Sequence, residues 1–444
     1  MNLNKGKKMR LPDKLTVDNL ESAYRSWKIT NDPNLTLPLS LSAPLPFCIE
    51  APLLQLIASA SRKAGENFTV HFESLAVSDD DYETILKNSL GNTHVLCAWI
   101  MAAKILDSNL TSISKSHSQS FSKYLDAMDS YDFLKTHATP QMRVNLICVQ
   151  GAQREFIQPL YHEVKNKMVV RPYSDVRLFV QDILAQLASS WTGKKLREVS
   201  APLAQLVQEL MENADWWART DEAGVPYKRG KSFRVLSFRL VDIDDDNAAN
   251  FGGSNHHLQS YLQTILLEQG ESDGGESSSR KRSIKRSSFI ELSVVDSGPG
   301  LARRWLSSQD SEFNKRLVAD LETISMADEE KAVVDCFKKW STSSHSSVRG
   351  IGLFSVARML REKNGFMRLR TGRLAYLFGT QSATKDVEER MKGKGEEGKA
   401  TQYTMEDGTH VFMEDTDVAF FLRPWNKETL SPVEGTSYSI LLPV

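Results

Sequence analysis

The chain has 444 residues, which is too long for one ordinary hydrophobic core and predicts two or three domains. Hydrophobic residues make up 41% and charged residues 25% of the sequence, the profile of a soluble globular protein. Lys and Arg total 55 against 56 for Asp and Glu, so the overall charge does not indicate nucleic acid or another highly charged partner.

Cysteine spacing and the apolar segments indicate a reducing compartment and no membrane. The four cysteines are scattered and form no C-x-x-C pair, so buried free thiols are expected rather than disulfides or a zinc site. The basic N-terminus is not followed by an apolar segment of the signal-peptide type. The longest apolar run, Val95 to Leu106, has 12 residues and contains Lys104, whereas a membrane span needs about 20. We therefore expect a cytoplasmic protein.

The first part of the chain predicts a small domain behind a polar lead-in. Residues 1–32 form the lead-in, with one helix near Leu20 to Trp27. Residues 33–172 alternate between strand and helix patterns and predict an α/β domain of unknown role. Its predicted elements are the strands LTLPLSL and NFTVHF, helices at Ala51–Lys63 and Thr93–Leu106, the buried strand RVNLICV, and a helix near Gln153–Lys165 that Pro159 breaks or kinks.

Residues 173–444 predict a second, larger domain with insertions near 242–289 and 380–418. Residues 173–218 read as helical, with apolar residues spaced by three and four. The elements that follow are the strand FRVLSFRLVD, a helix at His257–Gln269, the flexible run SDGGESSSRKRSIKRSS, the strand FIELSVVD, a helical stretch at Asp310–Lys339, a helix at Gly352–Lys363, and the strands FMRLRTG and GTSYSILLPV.

The first candidate functional element is the segment ELMENA on a predicted amphipathic helix. Glu209 and Asn213 are four residues apart and therefore project from one face of the helix. An amide oxygen suits magnesium, which usually keeps several waters and bridges to phosphate oxygens. A neighbouring carboxylate can accept a proton from a nucleophile or orient it. Taken alone, the pair is better explained as polar residues on a solvated helix face.

The second candidate is the turn VVDSGPG, which follows a predicted strand. The strand would bring Asp296 to a pocket, and Gly298 and Gly300 would let the backbone approach a planar ligand closely. A carboxylate there can accept a hydrogen bond from the exocyclic amine of adenine, which favours ATP over GTP. A tight turn after a strand is the competing explanation.

Two glycine-containing segments complete the set. Arg349, Gly350 and Gly352 stand at the start of a predicted helix, where exposed N–H groups favour a phosphate. Glycines before helices are also common caps, so this segment alone is weak evidence. Gly435 and Thr436 open the last strand, where a hydroxyl could bond adenine or a bridging water. A Gly-Thr pair by itself carries little information.

Together and in this order, these segments resemble the GHKL superfamily of gyrase, heat-shock chaperone, histidine kinase and mismatch-repair ATPases. ELMENA resembles its N box, VVDSGPG its first glycine box, RGIGLFSVARML its second glycine box, and GTSYSILLP its Gly-Thr strand. KKWSTSS resembles the F-x-x-x-ST segment of many members, and GFMRLRTG the strand after the second glycine helix. The resemblance covers roughly residues 190–444.

The resemblance implies a C-terminal α/β sandwich of GHKL (Bergerat) type, with helices on one face of a mixed sheet, beside the smaller N-terminal α/β domain. It implies ATP and magnesium as cofactors. The implied roles are Glu209 as base, Asn213 as magnesium ligand, Asp296 on adenine with Gly298 and Gly300 lining the base, Gly350 and Gly352 on the triphosphate, and Thr436 behind the adenine. Residues between Leu301 and Arg349 correspond to the ATP lid.

The chain departs from the family in the lid and in its insertions. The frequent S-T-K sequence is here Ser341-Thr342-Ser343, without lysine. Lys339 or Arg349 could supply a cation to phosphate instead, although solvated lid residues are the favoured explanation of both. The two insertions also exceed what a minimal domain needs.

Three functions remain open within this resemblance. A histidine kinase needs a phosphoacceptor histidine about 100 residues before the N box on a long helix, and neither His137 nor His162 meets this requirement. A water-activating ATPase fits Glu209, but serine kinases of the anti-sigma type carry the same residue. A slow or non-hydrolysing nucleotide switch is the third possibility, in which the N-terminal domain or a partner protein reads the bound state.

We expect an ATP-dependent ATPase or switch, with protein kinase as the alternative. The expected partners are an adenine nucleotide and either a second copy of the chain or a protein of the same system. By analogy alone, such a system could be prokaryotic defence against phage. The basic run RKRSIKR could contact nucleic acid, but a solvated linker is the favoured interpretation, so nucleic acid is neither indicated nor excluded.

Overall fold

A computed structural model describes residues 9–30, 32–78, 81–114, 128, 143–152, 155–272, 285–309, 323–339, 352–379, 381–426 and 428–444. Over these residues the chain is a mixed α/β protein. The helices are α1 (Val17–Thr30), α2 (Glu50–Ala64), α3 (Tyr82–Ser89), α4 (Thr93–Met101), α5 (Tyr173–Leu187), α6 (Gly193–Trp217), α7 (Ala248–Gly252), α8 (His256–Ser272), α9 (Leu301–Gln309), α10 (Met326–Cys336), α11 (Gly352–Glu362) and α12 (Gln381–Met391).

The strands form three sheets. They are β1 (Met9–Arg10), β2 (Asn34–Leu37), β3 (Thr69–Phe72), β4 (Lys104–Leu106), β5 (Arg143–Val149), β6 (Tyr161–Val164), β7 (Lys167–Val170), β8 (Phe233–Asp244), β9 (Arg286–Asp296), β10 (Phe366–Gly372), β11 (Leu374–Phe378), β12 (Ala400–Thr404), β13 (His410–Glu414), β14 (Asp417–Pro424) and β15 (Val433–Pro443). None of the helices in the described ranges is both long and apolar enough to cross a membrane.

The N-terminal domain is a four-stranded parallel sheet in the order β1-β2-β3-β4. Its first strand and helix α1 come from the expected lead-in, because β1 pairs with β2 and α1 buries Leu20 and Tyr24. The predicted helix at Thr93–Leu106 is too long. Helix α4 ends at Met101, Ala102 is extended, and Lys104–Leu106 forms β4. An unbroken apolar run does not distinguish a buried helix from a buried strand, and pairing with β3 decides the difference.

The predicted helix near Gln153–Lys165 is wrong, because strands β6 and β7 form a hairpin there. Lys165 and Asn166 link the two strands and both have positive φ angles, of 49° and 61°. Two consecutive residues of this kind match the twist of a two-residue hairpin turn. The turn lacks the usual glycine, so the sequence signal for it is weak.

The central sheet has nine strands in the order β12-β13-β14-β11-β10-β15-β9-β8-β5. Each described pairing in it is antiparallel, so the expected mixed sheet is wrong. Strand β5, which the sequence predicts within the N-terminal domain, instead pairs with β8 at the edge of this sheet. Its six buried residues gain a partner strand there, which explains the apolar composition of RVNLICV.

The two faces of the central sheet differ in chemistry. Side chains on a strand alternate between faces, and directly paired residues share one. One face is mostly apolar and includes Leu236, Phe238, Leu292, Val294, Tyr438 and Ile440. The other carries buried polar side chains, among them Ser237, Arg239, Glu291, Ser293, Arg368, Arg370, Ser437 and Ser439. Each face is buried under a different part of the chain.

Helix α6 covers the apolar face, and the N-terminal domain covers the polar face. Asp215 of α6 lies 3.5 Å from Arg234, whose cross-strand partner on β9 is Asp296. On the polar face, Glu50 of α2 accepts a hydrogen bond from Ser237 at 2.8 Å. The expectation that helices of the C-terminal domain lie on one face only is wrong, because Tyr261 of α8 contacts Phe289 and Phe366 on the polar face.

The helical region at 173–218 is divided into α5 and α6. Helix α5 ends at Leu187, and the Thr192 hydroxyl caps α6 by accepting a hydrogen bond from the Lys195 N–H at 3.3 Å. The insertion after β8 forms α7 and α8, and Tyr261 of α8 contacts the rings of Phe289 and Phe366. The later insertion supplies α12 and most of β12–β14, which extend the central sheet. Most of the run at 272–288 that the sequence predicts to be flexible lies outside the described residues.

Candidate functional site

The C-terminal half of α6 lies against the first residue of α11. A Cβ atom placed on Gly352 would be 2.5 Å from Glu209 Oε2 and 3.8 Å from Asn213 Nδ2. Any side chain at this position would displace the Glu209 carboxylate, so glycine is what allows the close approach. The structure thus brings three of the predicted residues together, two from one helix and one from a segment about 140 positions later in the chain.

Glu209 is half-buried, and its carboxyl group has a raised pKa. Burial raises the pKa of Glu209 above its usual value of 4.5, and the negative charge of Glu212, three residues along the helix, raises it further. A carboxyl group with a raised pKa is better matched to accepting a proton near neutral pH than an ordinary surface glutamate.

Asp296 ends β9 on the face of the sheet that α6 covers. Its side chain is 9% exposed, and its carboxylate accepts a hydrogen bond from the Gly298 N–H at 2.9 Å. Burial raises the pKa of Asp296 from 3.8 to about 6, although hydrogen bonds from Gly298 and Thr436 and the charge of Arg234 oppose the shift. The group is therefore ionised at pH 7 and protonated in mild acid.

The glycine turn after Asp296 is packed between the end of α6 and strand β15. A Cβ on Gly298 would lie 2.5 Å from Ala218 Cα, just beyond the last residue of α6. A Cβ on Gly300 would lie 2.8 Å from Thr371 Oγ1, and the same hydroxyl accepts a hydrogen bond from the Leu301 N–H at 3.0 Å. These contacts fix the turn against the end of α6 and against Thr371 of β10.

Gly435 is where only glycine fits. It has a φ angle of 72°, and a Cβ there would lie 1.8 Å from the Asp296 carbonyl oxygen. Its N–H donates to the Gly298 carbonyl at 2.6 Å, which joins β15 to the glycine turn. Thr436 follows immediately and hydrogen-bonds to the Asp296 carboxylate. Asp296, Gly298, Gly435 and Thr436 therefore form one connected unit.

Part of the predicted site lies outside the described residues. Arg349 and Gly350, and the segment Ser341–Ser343, belong to this part, as does His137. Lys339, one of the two candidate phosphate-binding cations, forms an ion pair with Glu414 at 2.5 Å and lies 5.8 Å from the Phe354 ring centre. It is already neutralised by a carboxylate. His162 lies on β6 of the hairpin and not on a long helix, so the structure gives it no phosphoacceptor role.

Arg234 is a residue at this site that the sequence interpretation missed. It is fully buried, lies opposite Asp296 on β8, and places its Nη2 atom 3.6 Å from Glu155 and 3.5 Å from Asp215. The available signal was its position: it precedes Leu236 and Phe238 at two-residue spacing, so it shares their apolar face of the sheet. A buried arginine beside a buried aspartate favours the ionised form of that aspartate.

The described residues contain no group of three or more His, Cys, Asp or Glu side chains that could hold a metal ion. The donor set expected for magnesium here is different, since one amide oxygen would act together with waters and ligand phosphates. Asn213 beside Gly352 is compatible with that arrangement.

No protein-family model matches the chain, and neither a curated protein nor a solved structure is significantly similar to it. A functional assignment therefore has to come from the residues and their geometry.

Proposed function

We propose that this chain binds ATP with magnesium between α6, the β9 and β15 segments and α11, in an α/β sandwich of GHKL (Bergerat) type. The observation that carries the proposal is the contact of Gly352 with Glu209 and Asn213, on the face of the sheet where Asp296 and Thr436 also lie. Residues separated by more than two hundred positions in sequence thus lie around one region of the fold.

The adenine end of the proposed site is the unit of Asp296, Gly298 and Thr436. A carboxylate can accept a hydrogen bond from the exocyclic amine of adenine but repels the carbonyl oxygen that guanine carries at the same position. Asp296 is ionised at pH 7, because its pKa is about 6. Gly298 and Gly300 let the turn pack closely against Ala218 and Thr371, which holds Asp296 in place. These features favour ATP over GTP.

The phosphate end of the proposed site lies where α11 begins near Asn213 and Glu209. The N–H groups of the first helical turn and the helix dipole favour negative charge there. Asn213 would hold magnesium through its amide oxygen, and the ion would neutralise phosphate charge when bound. Arg349 and Gly350 immediately precede this turn in sequence and are proposed to complete the phosphate contacts.

Slow hydrolysis is the reaction that Glu209 supports best. Its carboxylate lies beside the start of α11, and its raised pKa suits it to take a proton from an attacking water. The N-terminal domain packs on the opposite face of the strands that carry Asp296 and Thr436, which supports a conformational switch read by that domain or by a partner. A second copy or a partner protein in a regulatory or defence system remains part of the proposal.

Incubation with γ-labelled ATP tests the proposal and separates its alternatives. We expect labelled free phosphate from the unaltered chain and at least about a 100-fold lower rate from Glu209→Gln, with nucleotide affinity retained. Glu198→Gln, an exposed position on the same helix, is the matched control and should hydrolyse ATP normally.

The other possible results of this incubation each favour a different function. Label transferred to a protein would favour a kinase over an ATPase. Tight ATP binding without either product would favour a non-hydrolysing switch. An absence of measurable adenine nucleotide binding to the unaltered chain would refute the proposed function.

A further inference from the structure

Strand β15 contains a bulge immediately before Thr436. Thr371 of β10 pairs with Thr436, but the next residue, Gly372, pairs with Val433. Glu434 and Gly435 therefore bulge out of the ladder between β10 and β15. Bulges leave backbone groups outside the regular pairing and are over-represented next to active sites. Here the bulge sets the position from which Thr436 reaches Asp296.

Helix α2 of the N-terminal domain supplies the hydrogen bonds that the bulge needs. The Ser59 hydroxyl accepts from the Glu434 N–H at 2.8 Å. The Gln55 amide donates to the Gly435 carbonyl at 3.2 Å and to the Arg370 carbonyl at 3.0 Å. Gln55 and Ser59 are 1% and 2% exposed, so water does not replace them. Buried backbone groups without partners are costly, and α2 therefore stabilises this bulge.

The same helix reaches the other segment of the adenine end. Arg62 donates from Nη2 to the Ser297 carbonyl at 2.8 Å, and its guanidinium lies 3.6 Å from the centre of the Tyr227 ring. Ser297 stands between Asp296 and Gly298 in the glycine turn. One helical face, with Gln55, Ser59 and Arg62 at spacings of four and three, thus contacts both backbone segments that hold Asp296 and Thr436.

We propose that α2 is a positioning element of the nucleotide site and couples that site to the N-terminal domain. Gln55, Ser59 and Arg62 touch no ligand in this proposal; they act through Gly435, Thr436 and Ser297. The inference rests on the proposed function, and it adds the route by which nucleotide occupancy reaches the N-terminal domain. Coupling of this kind is reciprocal. If the contacts of α2 increase nucleotide affinity, then nucleotide binding stabilises α2 by the same free energy.

Two serine-to-alanine substitutions on α2 form a matched test of the positioning role. Ser59 contacts the bulge, whereas Ser61 donates to the Met101 carbonyl within the N-terminal domain, and both are buried. We expect Ser59→Ala to weaken binding of a non-hydrolysable ATP analogue about fivefold, the factor that corresponds to one hydrogen bond. Ser61→Ala should leave the dissociation constant unchanged. Calorimetry gives the constants, and thermal melting shows that both variants are folded.

Hydrogen exchange on the unaltered chain tests the coupling without any substitution. We expect the ATP analogue with magnesium to slow amide exchange in the peptide that covers residues 50–64, and to do so less in Ser59→Ala. A merely structural role for α2 predicts lower melting temperatures in both serine variants and no nucleotide effect on its exchange.

The outcomes separate this inference from the proposed function. If the unaltered chain binds the analogue but α2 exchange does not respond and the two serine variants bind equally well, the coupling is refuted and the proposed function stands. If the unaltered chain binds no adenine nucleotide, both are refuted. Because the exchange measurement needs no variant, a failure of Ser59→Ala to fold does not prevent the decision.

Discussion

Burial and hydrogen bonds shift the pKa of Asp296 in opposite directions. Burial raises its pKa to about 6, while N–H donors from Gly298 and Thr436 and the charge of Arg234 limit the shift. A folded-state pKa above the usual 3.8 means that the folded chain binds the proton more tightly than the unfolded chain. Its contribution to stability is therefore fully present below pH 3.8 and is lost as pH rises through about 6.

The same titration predicts how nucleotide binding depends on pH. In the proposed complex the adenine amine donates to the ionised carboxylate of Asp296, so we expect affinity to fall as the pH drops below about 6. Asp296→Asn should weaken binding at pH 7 by about 1–3 kcal/mol, the cost of a poorly paired buried polar group. Calorimetry from roughly one pH unit below the pKa of Asp296 to roughly two units above it measures both effects.

The asparagine variant is also the control for titration of the ligand. Protonation of the nucleotide phosphates affects both proteins equally, so the difference between their pH profiles belongs to Asp296. Parallel profiles, or unchanged affinity at pH 7, would show that Asp296 does not contact the base.

Asn213 makes a separate prediction about magnesium. We expect Asn213→Ala to make nucleotide binding largely insensitive to magnesium, because the variant loses the amide oxygen that is proposed to hold the ion against phosphate. Titration of nucleotide with and without a chelator measures this. Asn145→Ala, a buried amide on the opposite face of the sheet, is the control and should keep the magnesium effect. A strong magnesium effect in Asn213→Ala would point to another ligand.

At the scale of elements, the contact between α6 and α11 depends on a helical glycine. Gly352→Ala would place a methyl group 2.5 Å from Glu209 Oε2, and the flexible end of the glutamate would move to make room. We expect hydrolysis to fall at least about tenfold, since small displacements of a general base are costly. Stability should change little, because the higher helix propensity of alanine, about 1 kcal/mol, offsets the cost of moving the glutamate.

Gly193→Ala is the matched control for this substitution. Gly193 also opens a helix, but a Cβ there would meet only Arg197 Nη1 at 3.5 Å, an ordinary contact. Phosphate release and thermal melting should therefore remain normal in this variant. Equal hydrolysis by both alanine variants would show that the approach of Gly352 to Glu209 has no part in the reaction.

Elements with strong local signals could be predicted from the sequence, which also singles out Glu209, Asn213 and Gly352, three residues that lie together in the structure. Helices α2, α8 and α11 match their predictions to within a few residues, because their apolar spacing and their ends are clear. The boundary between α4 and β4 could not be predicted, because an apolar composition fits a buried helix and a buried strand equally well. Gln55 carried no signal at all, because its role depends on a bulge about 380 residues away.

At the scale of the whole molecule, the arginines of β10 show why the docking of the N-terminal domain escaped prediction. Arg368 and Arg370 alternate with apolar residues, a pattern typical of a strand with one solvated face. The structure instead buries both to 1% exposure and pairs them with Glu21 of α1, at 2.9 and 2.8 Å. A polar, buried interface between two parts of the chain cannot be recognised from hydrophobic pattern alone.

Glu21 therefore makes the last prediction, about the interface as a whole. Burial opposes its ionisation, but Arg370 and Arg368 outweigh burial and keep the pKa of Glu21 below its usual 4.5. The stability that this carboxylate contributes is present above pH 4.5 and is lost as pH falls through the lowered pKa. Glu21→Gln leaves two buried arginines without a counter-charge, and we expect a loss of about 3–5 kcal/mol at pH 7 in the free energy of unfolding.

Urea denaturation at pH 7 and again below pH 4.5 measures that loss and its pH dependence. The unaltered chain should lose more stability on acidification than Glu21→Gln, because the variant has no carboxyl to protonate. Glu428→Gln is the control: it removes an exposed ion pair of α1, with Arg25, and should cost no more than about 1 kcal/mol. If both variants lose the same free energy of unfolding, the buried Glu21 cluster contributes no more than an exposed ion pair. The cluster would then not hold the N-terminal domain on the sheet.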